Sequence, residues 1–218
     1  NHHLSPMAMA FPAAAFDGEV ELTKESGGVA LIRLVAPARM NTMSRAMVAG
    51  VQVALDMAAE DGDVRCVVLT GAGTRAFCAG GQLGNERDGA ASGFLGKAGD
   101  VIPPTAAAAI RTLRSGMASS MSLRTLEKPT IAAINGACAG AGLGWACACD
   151  LRFASASAVF RTAFVTAGLS GDYGLSWTLP RIVGGARARE LFLLNRKVAP
   201  PPRAHTGAPP APRLASSD

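Results

Sequence analysis

Two glycine-rich stretches and two aspartates are the parts of this chain whose residue types and spacing can do chemistry. The stretches are "FCAGGQL" (77–83) and "ACAGAGLG" (137–144), and each leaves an apolar run of strand character, "VRCVVLTG" and "KPTIAAING". A helix that opens on bare backbone presents unsatisfied N–H donors and the positive end of its dipole to an anion. Ligands of α/β sheets bind beyond the carboxyl ends of the strands, and two donors converging there on one oxygen would form an oxyanion hole. Glycines also serve tight turns for steric reasons alone, so the stretches by themselves name no ligand. They offer no acid or base either. Between Lys128 and Arg189 the only carboxylates are Asp150 and Asp172. Asp150 stands between a small-residue helix and a strand, which is a capping position. Asp172, in "LSGDYG", can either cap its loop or move a proton.

Other chemistries are excluded by what is missing. The three histidines, His2, His3 and His205, lie in a tag-like leader and a proline-rich tail, so no Ser-His-Asp or Cys-His pair is expected in the core. Five cysteines (Cys66, Cys78, Cys138, Cys147, Cys149) stand in apolar surroundings without a disulfide pattern. They read as buried small hydrophobes in a cytoplasmic protein, and no metal is expected at Cys147-Ala-Cys149. "GAGLGW" lacks the spacing of a dinucleotide fingerprint, and no stretch has a P-loop ending. The net charge of +5 is scattered and aromatics are only 5%, which suits a phosphorylated or carboxylated ligand rather than nucleic acid. No apolar run approaches the roughly 20 residues of a membrane span.

The elements that must position these groups alternate. "GEVELTKES" and "GGVALIRLVAP" predict two strands about a Gly27-Gly28 turn. Ser44 is a helix N-cap, and the helix after it places Met47, Val51, Leu55 and Ala58 on one face. "VRCVVLTG" is apolar enough to be buried on both faces of a mostly parallel sheet. A helix is predicted from about Thr105 to Leu126, a strand in "KPTIAAING", a helix out of the second glycine stretch, and one or two short strands in "DLRFASASAVFR". Two further helices follow, the last being "ARARELFLLN". This alternation predicts an α/β layered fold with right-handed crossovers.

The two glycine stretches with their strands, "VRCVVLTGAGTRAFCAGGQL" and "EKPTIAAINGACAGAGLGWACACDLRFAS", resemble the crotonase, or enoyl-CoA hydratase/isomerase, superfamily over roughly Val20 to Val198. The resemblance implies an α/β spiral of repeated ββα turns, a coenzyme A thioester as ligand and a trimer or hexamer. It implies oxyanion-hole amides at Gly81 and Ala141, so that the awaited anion is a thioester enolate. Arg39, Met43 and Gln82 are the candidate CoA contacts. Phe94, Leu95, Phe164, Tyr173 and Trp177 could shape the acyl pocket. No separate cofactor is implied, since coenzyme A belongs to the substrate.

The chain departs from its relatives where hydratases carry two glutamates, having Gly144 and Phe164 at the matching positions. Asp172 matches the aspartate that family isomerases use. One carboxylate suits a 1,3-proton transfer, so double-bond isomerisation of an enoyl-CoA leads, ahead of hydration (a lyase activity) and of a weak acyl-CoA-binding paralogue. The expected organisation is a disordered leader (1–16), a single acyl-CoA-binding core (17–198) and a disordered tail (199–218). That tail holds six of the thirteen prolines and reads like the product of a shifted frame. It stands where relatives continue with further helices, so the C-terminal helical part is expected to be missing. No nucleic-acid or membrane partner is expected.

Overall fold

The computed structural model describes residues 18–81 and 106–200, with side chains in 106–113 and at 115 left aside. Gln82, Phe94, Leu95, the whole leader and residues 201–218 lie outside this range. β1 (Val20–Glu25) and β2 (Val29–Leu34) pair antiparallel with Val20 opposite Leu34. Gly27 and Gly28 take φ of +79° and +77° in the turn between them, and a Cβ on Gly28 would lie 2.5 Å from the Asp63 carbonyl oxygen. Only glycine makes that turn without strain. α1 (Arg45–Glu60) starts at Ser44, whose side chain accepts from the Met47 N–H at 3.0 Å. Its predicted face, Met47, Val51, Leu55 and Ala58, is buried against the sheet and α2 (Ala106–Thr125).

β3 (Cys66–Gly71), β5 (Thr130–Ile134) and β7 (Leu151–Ala154) extend the first sheet in parallel, in the order β1-β2-β3-β5-β7. A second sheet is built from β4 (Ala76–Cys78), β6 (Ala137–Ala139) and β8 (Val159–Arg161), also parallel. After the β1-β2 hairpin and α1, each strand of the first sheet continues into a short strand of the other sheet and then a helix. β3-β4 leads to α2, β5-β6 to α3 (Ala141–Ala148), and β7-β8 to α4 (Leu175–Val183). This is the ββα spiral, and α5 (Gly185–Leu194) closes the succession of packed helices. Val198 pairs with Phe160 at the edge of the second sheet.

The structure corrects the sequence reading in two places. β4 and β6 lie at the glycine-rich stretches, where no strands are predicted, because three residues are too few to show alternation. β3 is not buried on both faces: Val67 and Leu69 are sealed, whereas Cys66, Val68 and Thr70 are half-buried. The sealed residues of β3 belong to the core on one side of the sheet, and the alternate residues point to its other face.

Candidate active site

β4 and β6 bring the two glycine-rich stretches together. Cys78 is in register with Cys138, and Gly81 and Ala141 each lie three residues further on, at the same end of the second sheet. Between them Gly80 (φ +107°) and Gly140 (φ +52°) touch. A Cβ on Gly80 would lie 3.1 Å from the Ala139 carbonyl oxygen, and one on Gly140 would lie 3.6 Å from the Gly80 Cα. Behind them Gly142 presses α3 onto β4, where a Cβ would come within 2.4 Å of the Cys78 carbonyl oxygen. Backbone therefore approaches backbone along the whole contact. Gly140 caps α3 without a side-chain hydrogen bond. Neither the Gly81 nor the Ala141 N–H has a backbone acceptor among the described residues. These are the two amides that the resemblance assigned to an oxyanion hole, and they are left as donors at the positive end of α3.

The first of these loops is held from its other side. The Met43 N–H donates to the Gly80 carbonyl at 2.8 Å, the Ala79 N–H donates to the Met40 carbonyl at 3.1 Å, and Met43 bridges Gly81 as in a parallel strand pair. Met43 is fully buried, so its main chain steadies Gly81. Arg39, two residues before Asn41, pairs with Glu19, which also accepts from the Ser44 hydroxyl.

Asp172 stands in a loop with left-handed backbone at Gly171 (φ +135°), Tyr173 (φ +49°) and Gly174 (φ +70°). A non-glycine residue in that region costs free energy and persists only where its surroundings hold it. Here Tyr173 is buried, sets its ring edge-on to Trp145 with centroids 6.0 Å apart, and lays its Cβ against Gly144. Gly144 is three residues after Ala141, on the same face of α3. Tyr173 thereby anchors the Asp172 loop on α3, the helix that opens at Ala141. Its Oδ1 is buried and has no hydrogen-bond partner among the described residues. Burial pushes its pKa up from 3.8 to about 6. The carboxyl can thus exchange a proton near neutral pH.

The absence of a second carboxylate has a steric counterpart. A Cβ on Gly144 would sit 2.6 Å from the Tyr173 Cβ and 3.2 Å from its carbonyl oxygen. Nothing larger than glycine fits beneath the Asp172 loop. Phe164 is buried and stacks on Phe192 with centroids 6.3 Å apart. Gly171 lies over this aromatic pair, its built Cβ 3.6 Å from the Phe192 ring. Phe164 and Tyr173 therefore support the Asp172 loop from two sides, while Trp177 is half-exposed between Arg181 and Arg124. Asp150 is structural as expected: its Oδ2 accepts from the Thr130 N–H at 2.9 Å and from the Thr130 hydroxyl at 3.0 Å.

Cys78, Cys138, Cys147 and Cys149 are buried thiols whose pKa burial raises, to about 12 for Cys78, Cys147 and Cys149. They pack as small hydrophobes; Cys66 is only half-buried. Sequence reasoning passed over two asparagines, Asn41 and Asn135, whose side chains bond the backbone beneath the site. Asparagine in a loop ordinarily marks a turn, and their common target is visible only in three dimensions.

Comparisons with known proteins agree with this fold. A family model described as enoyl-CoA hydratase/isomerase matches residues 29–189. A Mycobacterium tuberculosis protein named as a probable enoyl-CoA hydratase, EchA12, is 39% identical over 172 residues, covering 78% of this chain and 57% of that protein. The 1,2-epoxyphenylacetyl-CoA isomerase of Escherichia coli is 36% identical over 181 residues, covering 83% and 64%. A crystal structure of a probable enoyl-CoA hydratase/isomerase from Mycobacterium abscessus superposes with a TM-score of 0.69 at 36% identity, covering 83% and 64%. The chain spans about three fifths of the length of the curated relatives it matches.

Proposed function

Since the chain belongs to the enoyl-CoA hydratase/isomerase family, we propose that it moves the double bond of an enoyl-CoA thioester, with Asp172 as the single acid/base and the Gly81 and Ala141 amides as the oxyanion hole. The thioester carbonyl oxygen lies between the two N–H groups. Asp172 takes a proton from the α-carbon of a 3-enoyl thioester. The electron pair spreads through the double bond into the carbonyl, whose growing negative charge the two donors stabilise more strongly than the neutral ground state. The proton then goes from Asp172 to the γ-carbon, and the double bond comes into conjugation with the thioester. No proton or atom is left over, and coenzyme A takes part only as the thiol half of the substrate.

The observation that carries this reading is the Asp172 carboxyl. Its Oδ1 is buried without a hydrogen-bond partner among the described residues and burial pushes its pKa up to about 6, on a loop docked against the helix that begins at Ala141. Hydration needs a base for water and an acid for the α-carbon, and Tyr173 occupies the room that a side chain at 144 would need. Hydratase names among the relatives keep hydration as the second reading. Self-association as a trimer or hexamer and action in the cytoplasm belong to the same proposal. They are supported by exposed Val165, Trp177, Leu193 and Leu194 and by the free cysteines among the described residues. Arg39 and Gln82 remain the proposed CoA contacts, whereas Met43, fully buried, offers coenzyme A no surface and serves the site by holding Gly81.

The test is the Asp172→Asn variant, which keeps size but cannot accept a proton. Isomerisation of a 3-enoyl-CoA should fall about 10²-fold or more while thioester binding persists. Wild-type rates in the variant would refute the role of Asp172, and efficient hydration of a 2-enoyl-CoA by the unaltered protein would favour the second reading.

A further inference from the structure

We infer that Asn41 and Asn135 form a clamp that aims the two oxyanion-hole amides, and so act as positioning residues for the reaction; this rests on the proposed role of Gly81 and Ala141. The two side chains reach the same atom from different loops. The Ala76 carbonyl oxygen, at the first residue of β4, accepts from Asn41 Nδ2 at 2.8 Å and from Asn135 Nδ2 at 3.1 Å. Each asparagine also ties that point to the turn between the two sheets. Asn41 Nδ2 donates to the Ala72 carbonyl at 3.0 Å, and its Oδ1 accepts from the Ala36 N–H at 2.9 Å. Asn135 Nδ2 lies 2.9 Å from the Gly71 carbonyl and 2.7 Å from the Gly73 carbonyl, and its Oδ1 accepts from the Gly71 N–H at 3.3 Å.

The consequence for the site follows from chain connectivity. Asn41 lies between Met40 and Met43, whose main chains hold Ala79 and Gly80, so the one segment grips β4 by side chain at its start and by backbone just past its end. Asn135 stands two residues before β6, and the Ala137 N–H donates to the Arg75 carbonyl at 3.0 Å. The first asparagine sets the height of Gly81, and the second locks β4 against β6 and hence Gly81 against Ala141. Only an amide supplies both the donors and the acceptor this needs. Asn41 is fully buried at φ +51°, a conformation asparagine tolerates better than most residues, whereas Asn135 is half-buried. The corner also has no spare room, because a Cβ on Gly71 would fall 2.7 Å from Asn41 Nδ2 and one on Gly136 would fall 2.4 Å from the Arg75 carbonyl oxygen.

The experiment compares Asn135→Ala and Asn41→Ala with the unaltered protein, using amide ¹H–¹⁵N spectra and steady-state kinetics on a 3-enoyl-CoA. The clamp predicts that the Gly81 and Ala141 resonances shift while that of Ala188 in α5 does not. It also predicts that kcat falls about 10²-fold with KM held, because displaced donors lose the enolate more than the neutral thioester. A purely structural role would lower the unfolding temperature but leave kcat per folded molecule and both resonances in place, and that result overturns the clamp. Outright unfolding of the Asn135 variant overturns it too, since the pair would then be part of the fold rather than an aiming device. If the unaltered protein fails to isomerise, the isomerase reading fails while the two amide resonances still decide the clamp.

Discussion

Replacing Gly144 by alanine tests how the site is shaped. In an ordinary helix interior the change would add stability, about 1 kcal/mol from backbone entropy. In α3 the new Cβ would meet the Tyr173 Cβ at 2.6 Å, where ordinary contacts begin at 3.4 Å. The atom it meets is the stem of a buried ring in left-handed backbone, not the free end of a side chain. The Asp172 loop must therefore retreat by the better part of an ångström. Overpacking of this kind costs about 1–3 kcal/mol, which outweighs the gain from helix propensity. Urea denaturation should show Gly144→Ala destabilised by up to about 2 kcal/mol net of that gain. Gly62→Ala, with no atom within 4 Å of the new methyl, should stay within about 0.5 kcal/mol of the unaltered protein. Displacement of Asp172 should also lower kcat by about 10²-fold. A Gly144→Ala protein of undiminished stability and full activity would refute the argument that Tyr173 seats the Asp172 loop on α3.

Further outcomes follow from the same geometry. Asp172 must be ionised to take a proton, so kcat/KM should rise with pH to a plateau above about 6, and a profile flat from pH 5 to 8 would speak against it. Because the folded pKa is raised above the ordinary 3.8, the folded state binds the extra proton between about pH 4 and 6. Stability from this group is present below that window and is lost as pH rises through it, so Asp172→Asn should be the more stable protein at pH 7 and lose that advantage below pH 4 in thermal unfolding scans. Gly81→Pro removes one donor and should cost about 10²- to 10³-fold in turnover, and retained turnover would remove Gly81 from the oxyanion hole.

What could be read along the chain was what neighbours in sequence decide. The buried face of α1 was legible because Met47, Val51, Leu55 and Ala58 recur at helical spacing, and Ser44 announced the start of that helix. The glycines of 77–83 and 137–144 were legible as bare backbone, and the resemblance named the two amides. The second sheet was not legible, since β4 and β6 are only three residues each. Gly144 stood out only as a glutamate not present; its physical reason lies in Tyr173, far along the chain and brought over α3 by a loop with three left-handed residues. The asparagine pair was hidden for the same reason: residues 41 and 135 share one acceptor at 76, and no local pattern links them.

Isotope transfer within the substrate tests the central claim most directly. A 3-enoyl-CoA carrying deuterium at the α-carbon is isomerised in ordinary water, and the product is analysed by mass spectrometry and ²H NMR. If Asp172 alone carries the proton from one carbon to the other, part of the deuterium should appear at the γ-carbon of the 2-enoyl product, and Asp172→Asn should abolish that transfer. Complete loss of the label to solvent together with accumulation of a 3-hydroxyacyl-CoA would contradict the account, because water would then be the reactant and a second acid/base group would be at work.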